Sequence, residues 1–391
     1  MRPFHYNRVE TVEEALAAFL SRDGERSTSH ADAKSDSPTI ADPQYLGGGT
    51  DLIELVKLDV RHPTAIVDVH RVESMRQIQS DDDGSNVRGG DVRGGVGEGG
   101  VGEVGWTIGA AVRMHELAVH EGVAASHRLI GESLRMGATP QIRHLATLGG
   151  NVLQRTRCPY FRMAVGRCNR RVPGSGCMAS AGDHSMLAIW GTSPDCLAVH
   201  PSDFAVALVA AAARVQLVDC DGERRTVDVG ELHRLPGAMP IVETVLRPGE
   251  LIESFYLPPH PGGGAAYAKF PAAGFARASA AVTVGVQDDR VAAVRVALGG
   301  VATVPWRARH VEEVLIDALG GNSVNRSQRS IDLPLARRAV EAELAAGGAD
   351  NGGADTSGGR ESAVPLLVAM VAKAATLALQ RAGGSNRRGK S

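Results

Sequence analysis

The chain has 391 residues, 43% of them hydrophobic, which is enough for two or three domains and a substantial buried core. Its formal net charge of −2 leaves no basic footprint for nucleic acid or an anionic membrane surface. No run of about 18 apolar residues marks a transmembrane helix, the start Met1-Arg2-Pro3-Phe4-His5-Tyr6 lacks the apolar core of a signal peptide, and five cysteines in this length do not make a secreted disulfide framework. The expectation is a cytoplasmic protein with no membrane insertion, or one exported folded beside a signal-bearing partner.

In chain order, residues 11–20 read as a helix capped by Thr11, with Glu14 as capping-box partner. Residues 21–42 are Ser/Asp-rich and read as a loose insertion. A short strand ends at Tyr45-Leu46, a Gly-Gly-Gly turn follows, and a helix runs to about Leu58. Ala65 to Val69 is a second strand. Residues 80–105 are a low-complexity tract of Gly, Asp, Val and Arg. Trp106 to Ala111 reads as a strand, and Arg113 to His120 and residues 127–137 as helices. A cysteine-bearing segment leads to a helix from Asp203 to Ala213 and a strand from Arg214 to Val218. Pro and Gly near 235–249 mark the expected start of a second domain. There Glu250–Leu257, Ala266–Phe270, Ala280–Gln287 and Arg290–Leu298 read as strands, with a hairpin turn at Gln287-Asp288-Asp289-Arg290. Helices follow at 308–319, 333–346 and 364–382, and strands followed by helices give an α+β layer. The loop at 347–361 and the basic tail from Gly383 are expected to be mobile.

Two motif matches fail on context. Gly97-x-Gly99-x-x-Gly102 fits a dinucleotide fingerprint but has no strand before it and no helix after it. Gly384-x4-Gly389-Lys390-Ser391 fits a phosphate loop, yet no helix follows to aim its N-terminus at a phosphate.

Four other features carry chemistry. Gly47-Gly48-Gly49-Thr50-Asp51-Leu52, between strand and helix, lets backbone N–H groups approach a pyrophosphate; a plain tight turn is the alternative. Thr147-Leu148-Gly149-Gly150-Asn151 is a second glycine turn with hydroxyl and amide groups beside it, able to share one diphosphate with the first. His200-Pro201-Ser202-Asp203 opens a helix; Ser202 or Asp203 either caps it or, as Asp203, accepts from a ribose or ribityl hydroxyl. The fourth is Cys158, Cys168, Cys177 and Cys196, spaced C-x9-C-x8-C-x18-C, so four of the five cysteines fall within 39 residues. Such thiolates suit an iron–sulfur cluster or a tetrahedral zinc, with four unrelated buried or free cysteines as the plain alternative. The paired C-x2–4-C spacing of structural zinc sites is missing, which favours the cluster. Cys220 stands apart.

On these residues the chain resembles the FAD-binding medium subunit of molybdenum hydroxylases, the xanthine dehydrogenase and carbon monoxide dehydrogenase group. The resemblance rests on Tyr45–Leu52 (YLGGGTDL), Thr139–Gln154 (TPQIRHLATLGGNVLQ) and His200–Asp203 (HPSD). It is closer still to the branch with an extra [4Fe–4S] cluster, as in periplasmic aldehyde oxidoreductases, through the segments around Cys158-Pro159-Tyr160-Phe161, Cys168 to Cys177 and Gly191 to Cys196.

The resemblance implies an α+β fold: a two-subdomain FAD-binding domain over 1–235, with insertions near 21–42 and 80–105 and a cluster insertion near 155–198, then a C-terminal α+β domain of the CO dehydrogenase flavoprotein type over 245–383 and a tail at 384–391. It implies FAD held by Leu46, Gly47, Gly48, Gly49, Thr50, Asp51, Leu52, Thr147, Gly149, Gly150, Asn151, Asp203 and Lys269, and a [4Fe–4S] cluster held by Cys158, Cys168, Cys177 and Cys196. No residue is assigned a catalytic role toward an organic substrate. The implied partners are a molybdenum-cofactor large subunit and a [2Fe–2S] small subunit, in a heterotrimer or a dimer of heterotrimers, with electrons leaving through FAD to an external acceptor. A stand-alone flavin oxidoreductase and a non-enzymatic zinc-stabilised binding module are the alternatives. One departure from the family pattern follows Lys269, where Phe270-Pro271-Ala272-Ala273-Gly274-Phe275-Ala276-Arg277 replaces an Arg-rich run.

Overall fold

The computed structural model describes residues 2–21, 43–81, 104–260, 262–271, 274–288, 290–320, 330–347 and 357–385. Most of the loose tracts expected at 21–42, 80–105 and 347–361, the Gly97–Gly102 match, Asp289 of the hairpin turn and the end of the tail lie outside the described residues.

The first layer is a small parallel sheet. Strand β1 (His5–Arg8) and β2 (Gln44–Leu46) flank β3 (Ala65–Asp68), in the order β1-β3-β2. Helix α1 (Val12–Leu20) is capped as expected, Thr11 Oγ1 accepting from Glu14 N at 3.1 Å. The Glu14 carboxylate reaches back to Glu10 N rather than to the cap residue. Helix α2 (Leu52–Lys57) leaves the glycine turn after β2.

Strands β4 (Ile78–Ser80) and β5 (Trp106–Gly109) begin a second sheet. A run of short helices then builds the middle of the domain: α3 (Met114–Val119), α4 (Glu121–Ser126), α5 (Arg128–Gly137), α6 (Pro140–Leu145), α7 (Leu148–Val152), α8 (Pro159–Arg162) and α9 (Asp203–Ala210). All eight residues of α9 are buried, so it forms the centre of the core. Strands β6 (Arg214–Val218) and β7 (Arg224–Asp228), helix α10 (Val229–Leu232) and strand β8 (Leu251–Leu257) follow.

Here the structure corrects an expectation. The sequence places strand β8 in the second domain, but it pairs with β5 and β6 in the order β4-β5-β8-β6-β7. The Pro/Gly stretch at 235–249 is a crossing within this second sheet, and the expected division at 235–245 would cut β8 from its partners. Local composition marks a loop; only the pairing tells which sheet the next strand joins.

The second domain is an antiparallel sheet of β9 (Gly263–Phe270), β10 (Ala278–Gln287), β11 (Arg290–Gly299) and β12 (Trp306–Arg307), covered by α11 (Arg309–Leu319), α12 (Leu333–Gly347) and α13 (Ser357–Ser385). Helix α13 starts before and ends after the expected 364–382. Its stretch Arg360–Ala382 is long and apolar enough to cross a membrane, contrary to the sequence reading. Leu367, Val371, Ala375, Ala378 and Leu379 are buried in the core formed with this sheet. The helix is long because it spans the sheet's face.

Candidate functional site

Two glycine turns meet between the sheets. An added Cβ on Gly47 would lie 2.2 Å from Thr147 Oγ1, and one on Gly48 would lie 1.9 Å from the Leu145 carbonyl oxygen. Only glycine permits this approach, so these two glycines are required by the second turn before any ligand is considered. Gly49 adopts φ +71°, which turns the chain into α2.

The turns differ in what they offer a ligand. In the second, the backbone is already paired: Leu148 N donates to Val112 O, Gly149 N to Ala110 O at 2.9 Å, Gly150 N to Thr147 Oγ1 and Asn151 N to Thr147 O. In the first, the N–H groups of Gly47, Gly48, Gly49 and Thr50 donate to no protein acceptor among the described residues. A half-buried run of unpaired N–H groups beside a helix N-terminus is the donor set a diphosphate needs. The residues present therefore fit FAD, with the first turn as donor and the second as wall. Asn151 joins that wall to α9: Ser202 Oγ donates to Asn151 Oδ1 at 2.7 Å and caps α9 by accepting from Ala205 N.

Asp203 and Lys269 do come together, 2.6 Å apart and both buried. They are occupied by each other. Asp203 accepts from Lys269 Nζ and from Tyr267 OH at 2.5 Å, while Lys269 also donates to the carbonyls of Met136 and Gly274. Burial raises the Asp203 carboxyl above its ordinary range against the pull of Lys269 and Tyr267. This is a joint between α9 and β9. Tyr267, which sequence reasoning missed, is its third member.

Asp51 faces the cysteine segment. Its carboxylate accepts from Arg155 N at 2.8 Å and from Arg162 Nη2 at 2.6 Å, and Arg157 Nη1 lies 3.1 Å away. The first glycine turn is thus tied to the chain on either side of Cys158.

All four cysteines of the quartet are free and line one cavity of about 290 Å³, counting the space at its mouth. The segment that carries them has little regular structure. Cys168 and Cys177 face each other in an isolated bridge. Asn169 Nδ2 donates to Asp195 Oδ1 and Gly176 N donates to Asn169 Oδ1, which draws the Cys177 and Cys196 arms to the Cys168 turn. Arg171 binds the Met163, Val165 and Gly166 carbonyls of one loop. Phe161 packs with Leu55 and Val60, placing Cys158 and Cys168 against α2.

Burial pushes the Cys158 thiol up to about 11, helped by Cys196 and Cys168, and burial also raises Cys177. Uncompensated thiolates do not coexist in so apolar a hole, so a cationic metal centre there would bind with proton release. Among the described residues no three His, Cys, Asp or Glu side chains converge closely enough to hold a single metal ion. The four thiols line the cavity without converging on one point.

A further buried group was not legible in the sequence. Arg170 Nε donates to Cys196 Sγ at 3.0 Å, and its Nη1 binds Glu243. Proximity of Arg170 to Cys168 in sequence was the available signal. Glu243 lies in the 235–249 crossing, where nothing marked it. Close by, His200 and His233 lie half-buried with their Nε2 atoms 3.1 Å apart.

Comparison with known proteins accords with this geometry. Residues 101–260 match the FAD binding domain in molybdopterin dehydrogenase, and residues 266–325 match the CO dehydrogenase flavoprotein C-terminal domain. The chain is 35% identical over 329 residues to the aldehyde oxidoreductase FAD-binding subunit PaoB of Escherichia coli, covering 82% of this chain and 96% of that one. It is 23% identical over 315 residues to the glyceraldehyde dehydrogenase medium chain of Sulfolobus acidocaldarius, covering 80% and 81%. A carbon monoxide dehydrogenase structure from Hydrogenophaga pseudoflava shares the fold at TM-score 0.61 and 22% identity, covering 97% of this chain and 99% of that one. Quinoline 2-oxidoreductase from Pseudomonas putida 86 does so at TM-score 0.59 and 17% identity, covering 98% of each chain. With its paired glycine turns and its two domains matched in order, the chain belongs to the FAD-binding medium subunits of the molybdenum hydroxylase family.

Proposed function

We propose that the chain is the FAD- and [4Fe–4S]-bearing electron-transfer subunit of a molybdenum-dependent aldehyde oxidoreductase. The observation that carries the finer part is the ring of four free cysteines tied through Asp51 to the flavin turn. Bound FAD exchanges one or two electrons, and a four-iron cluster carries one at a time. The protein's own residues supply position and charge. Gly47 to Thr50 present N–H donors to the diphosphate, and Thr147, Gly149, Gly150 and Asn151 shape the opposite wall. Asp203 and Lys269 act on the flavin site by fixing the second domain against the first. Cys158, Cys168, Cys177 and Cys196 are the cluster ligands.

The partners in this reading are a molybdenum-cofactor large subunit, where the organic substrate is oxidised, and a [2Fe–2S] small subunit that passes electrons to FAD here. An external acceptor removes them. No side chain of this chain acts as nucleophile or general acid toward the organic substrate. The test is to purify the assembled complex anaerobically and add an aldehyde. Bleaching of the flavin absorbance on this subunit is expected, and its recovery when an acceptor is added. Flavin that stays oxidised while the substrate is consumed would overturn the electron path.

A further inference from the structure

One buried cation of the cysteine segment, Arg170, reaches a cysteine sulfur. Cys196 is itself buried, whereas the other three cluster cysteines are half-exposed. Among the described residues only Cys196 Sγ accepts from a charged side chain, Arg170 Nε at 3.0 Å. Arg170 is 7% exposed and is held by Glu243, whose other oxygen lies 2.5 Å from Arg155 Nε. Burial works against the Arg170 cation, and Cys196 and Glu243 outweigh it. On the far side lies a second cavity, of about 350 Å³ counting its mouth, which Arg170, Glu243, His200 and His233 help to line. Both imidazoles are pushed down by burial, so they add no charge near neutral pH. The charged group that touches Cys196 is therefore the Arg170 guanidinium, and behind it stands the Glu243 carboxylate, which Arg155 shares.

We infer that Arg170 is the positioning residue that sets the reduction potential of the cluster held at Cys196, with Glu243 holding it in place and offsetting its charge. The inference rests on the cluster reading proposed above. Reduction adds negative charge to the cluster and its sulfurs. An N–H donor and a positive charge on a ligand sulfur stabilise the reduced state more than the oxidised one, and so raise the potential. The apolar lining of the cysteine cavity weakens dielectric screening of that effect. The Glu243 carboxylate pulls in the opposite direction, so the two residues carry opposite signs.

The experiment is an anaerobic redox titration of the full chain with its FAD, following the reduced cluster by electron paramagnetic resonance. Arg170→Gln is expected to lower the cluster midpoint so that the reduced-to-oxidised ratio at fixed potential falls about tenfold, or about 59 mV for one electron. Glu243→Gln, which keeps the side-chain shape, is expected to raise the midpoint. Arg170→Lys is expected to fall between wild type and Arg170→Gln, because it keeps the charge without the planar fork. The flavin midpoint serves as internal reference. If Arg170→Gln does not load iron, Glu243→Gln alone carries the test. An unmoved cluster midpoint in Glu243→Gln, or shifts of the same sign in the two glutamine variants, would overturn the inference. Absence of iron and sulfide from the wild-type protein would instead overturn the cluster reading itself.

Discussion

The flavin cradle and the cysteine segment lie side by side and are built on opposite plans. In the cradle, the second turn satisfies its own backbone, and glycines let the first turn sit flush against it. That shape exists before a ligand arrives. The cysteine segment has one four-residue α-helix, α8, and one short 3₁₀ turn between Cys158 and Cys196. It is held by arginines reaching carbonyls and carboxylates, around a hole lined with thiols. One region is preorganised by backbone geometry; the other is a shell of side-chain contacts, which in the reading proposed above closes around a cluster. The two should therefore respond differently to the same kind of injury.

Removing the thiols is the strongest way to break that contrast. Cys158→Ser combined with Cys177→Ser is expected to abolish the broad iron–sulfur absorbance. It should also speed proteolytic cutting within 163–178 by about tenfold or more, as expected for a segment whose local stability has been lost. FAD should remain bound in the same preparation. Loss of both cofactors together would show that the cradle is not self-sufficient.

The joint between the domains comes next. Lys269→Met leaves the buried Asp203 carboxylate without its cation, which costs about 3–5 kcal/mol in comparable pairs. Lys269→Met with Asp203→Asn should recover most of that loss, since no unpaired charge remains. Urea unfolding of the four proteins in the cycle measures the coupling.

The histidine pair gives a pH signature of intermediate size. Burial lowers His200 well below 6.5 and His233 to about 4, so both are neutral in the fold. Because the folded values lie below the unfolded one, their contribution is fully present above pH 6.5. It is lost as the pH falls toward about 4. For His233 alone the loss reaches about 3 kcal/mol at most. The slope of unfolding free energy against pH across that window should flatten in His233→Gln.

The smallest effect belongs to the cradle. Gly48→Ala places a methyl against the Leu145 carbonyl and must part the two turns by a fraction of their separation. Such overpacking costs about 1–3 kcal/mol. FAD should bind about tenfold more weakly, while iron content stays unchanged. Equilibrium dialysis and iron analysis on one preparation check both halves.

Legibility followed the same divide. The glycine turns, the Thr11 cap and the helix at 127–137 are local, so spacing and composition exposed them. The four cysteines stood out as rare residues in one short stretch, and all four line one cavity in the structure. What the sequence hid was pairing at a distance. Strand β8 reads like its neighbours in sequence, yet its hydrogen bonds go to β5 and β6. Asp51 reads as part of a phosphate turn, but its carboxylate is claimed by Arg155, Arg157 and Arg162, more than a hundred residues away. Glu243 sits in a Pro/Gly crossing with nothing to mark it, and its meaning comes only from Arg155 and Arg170. Asp203 and Lys269 were both picked out, yet not as partners of each other.

In the reading proposed above, one chain holds FAD and an iron–sulfur cluster side by side. Anaerobic purification followed by quantification of FAD, iron, acid-labile sulfide and zinc tests it directly. One FAD with about four iron and four sulfide per chain and negligible zinc is the expected result, as for a four-thiolate [4Fe–4S] site. About one zinc per chain without sulfide, or FAD alone with neither metal nor sulfide, would contradict it.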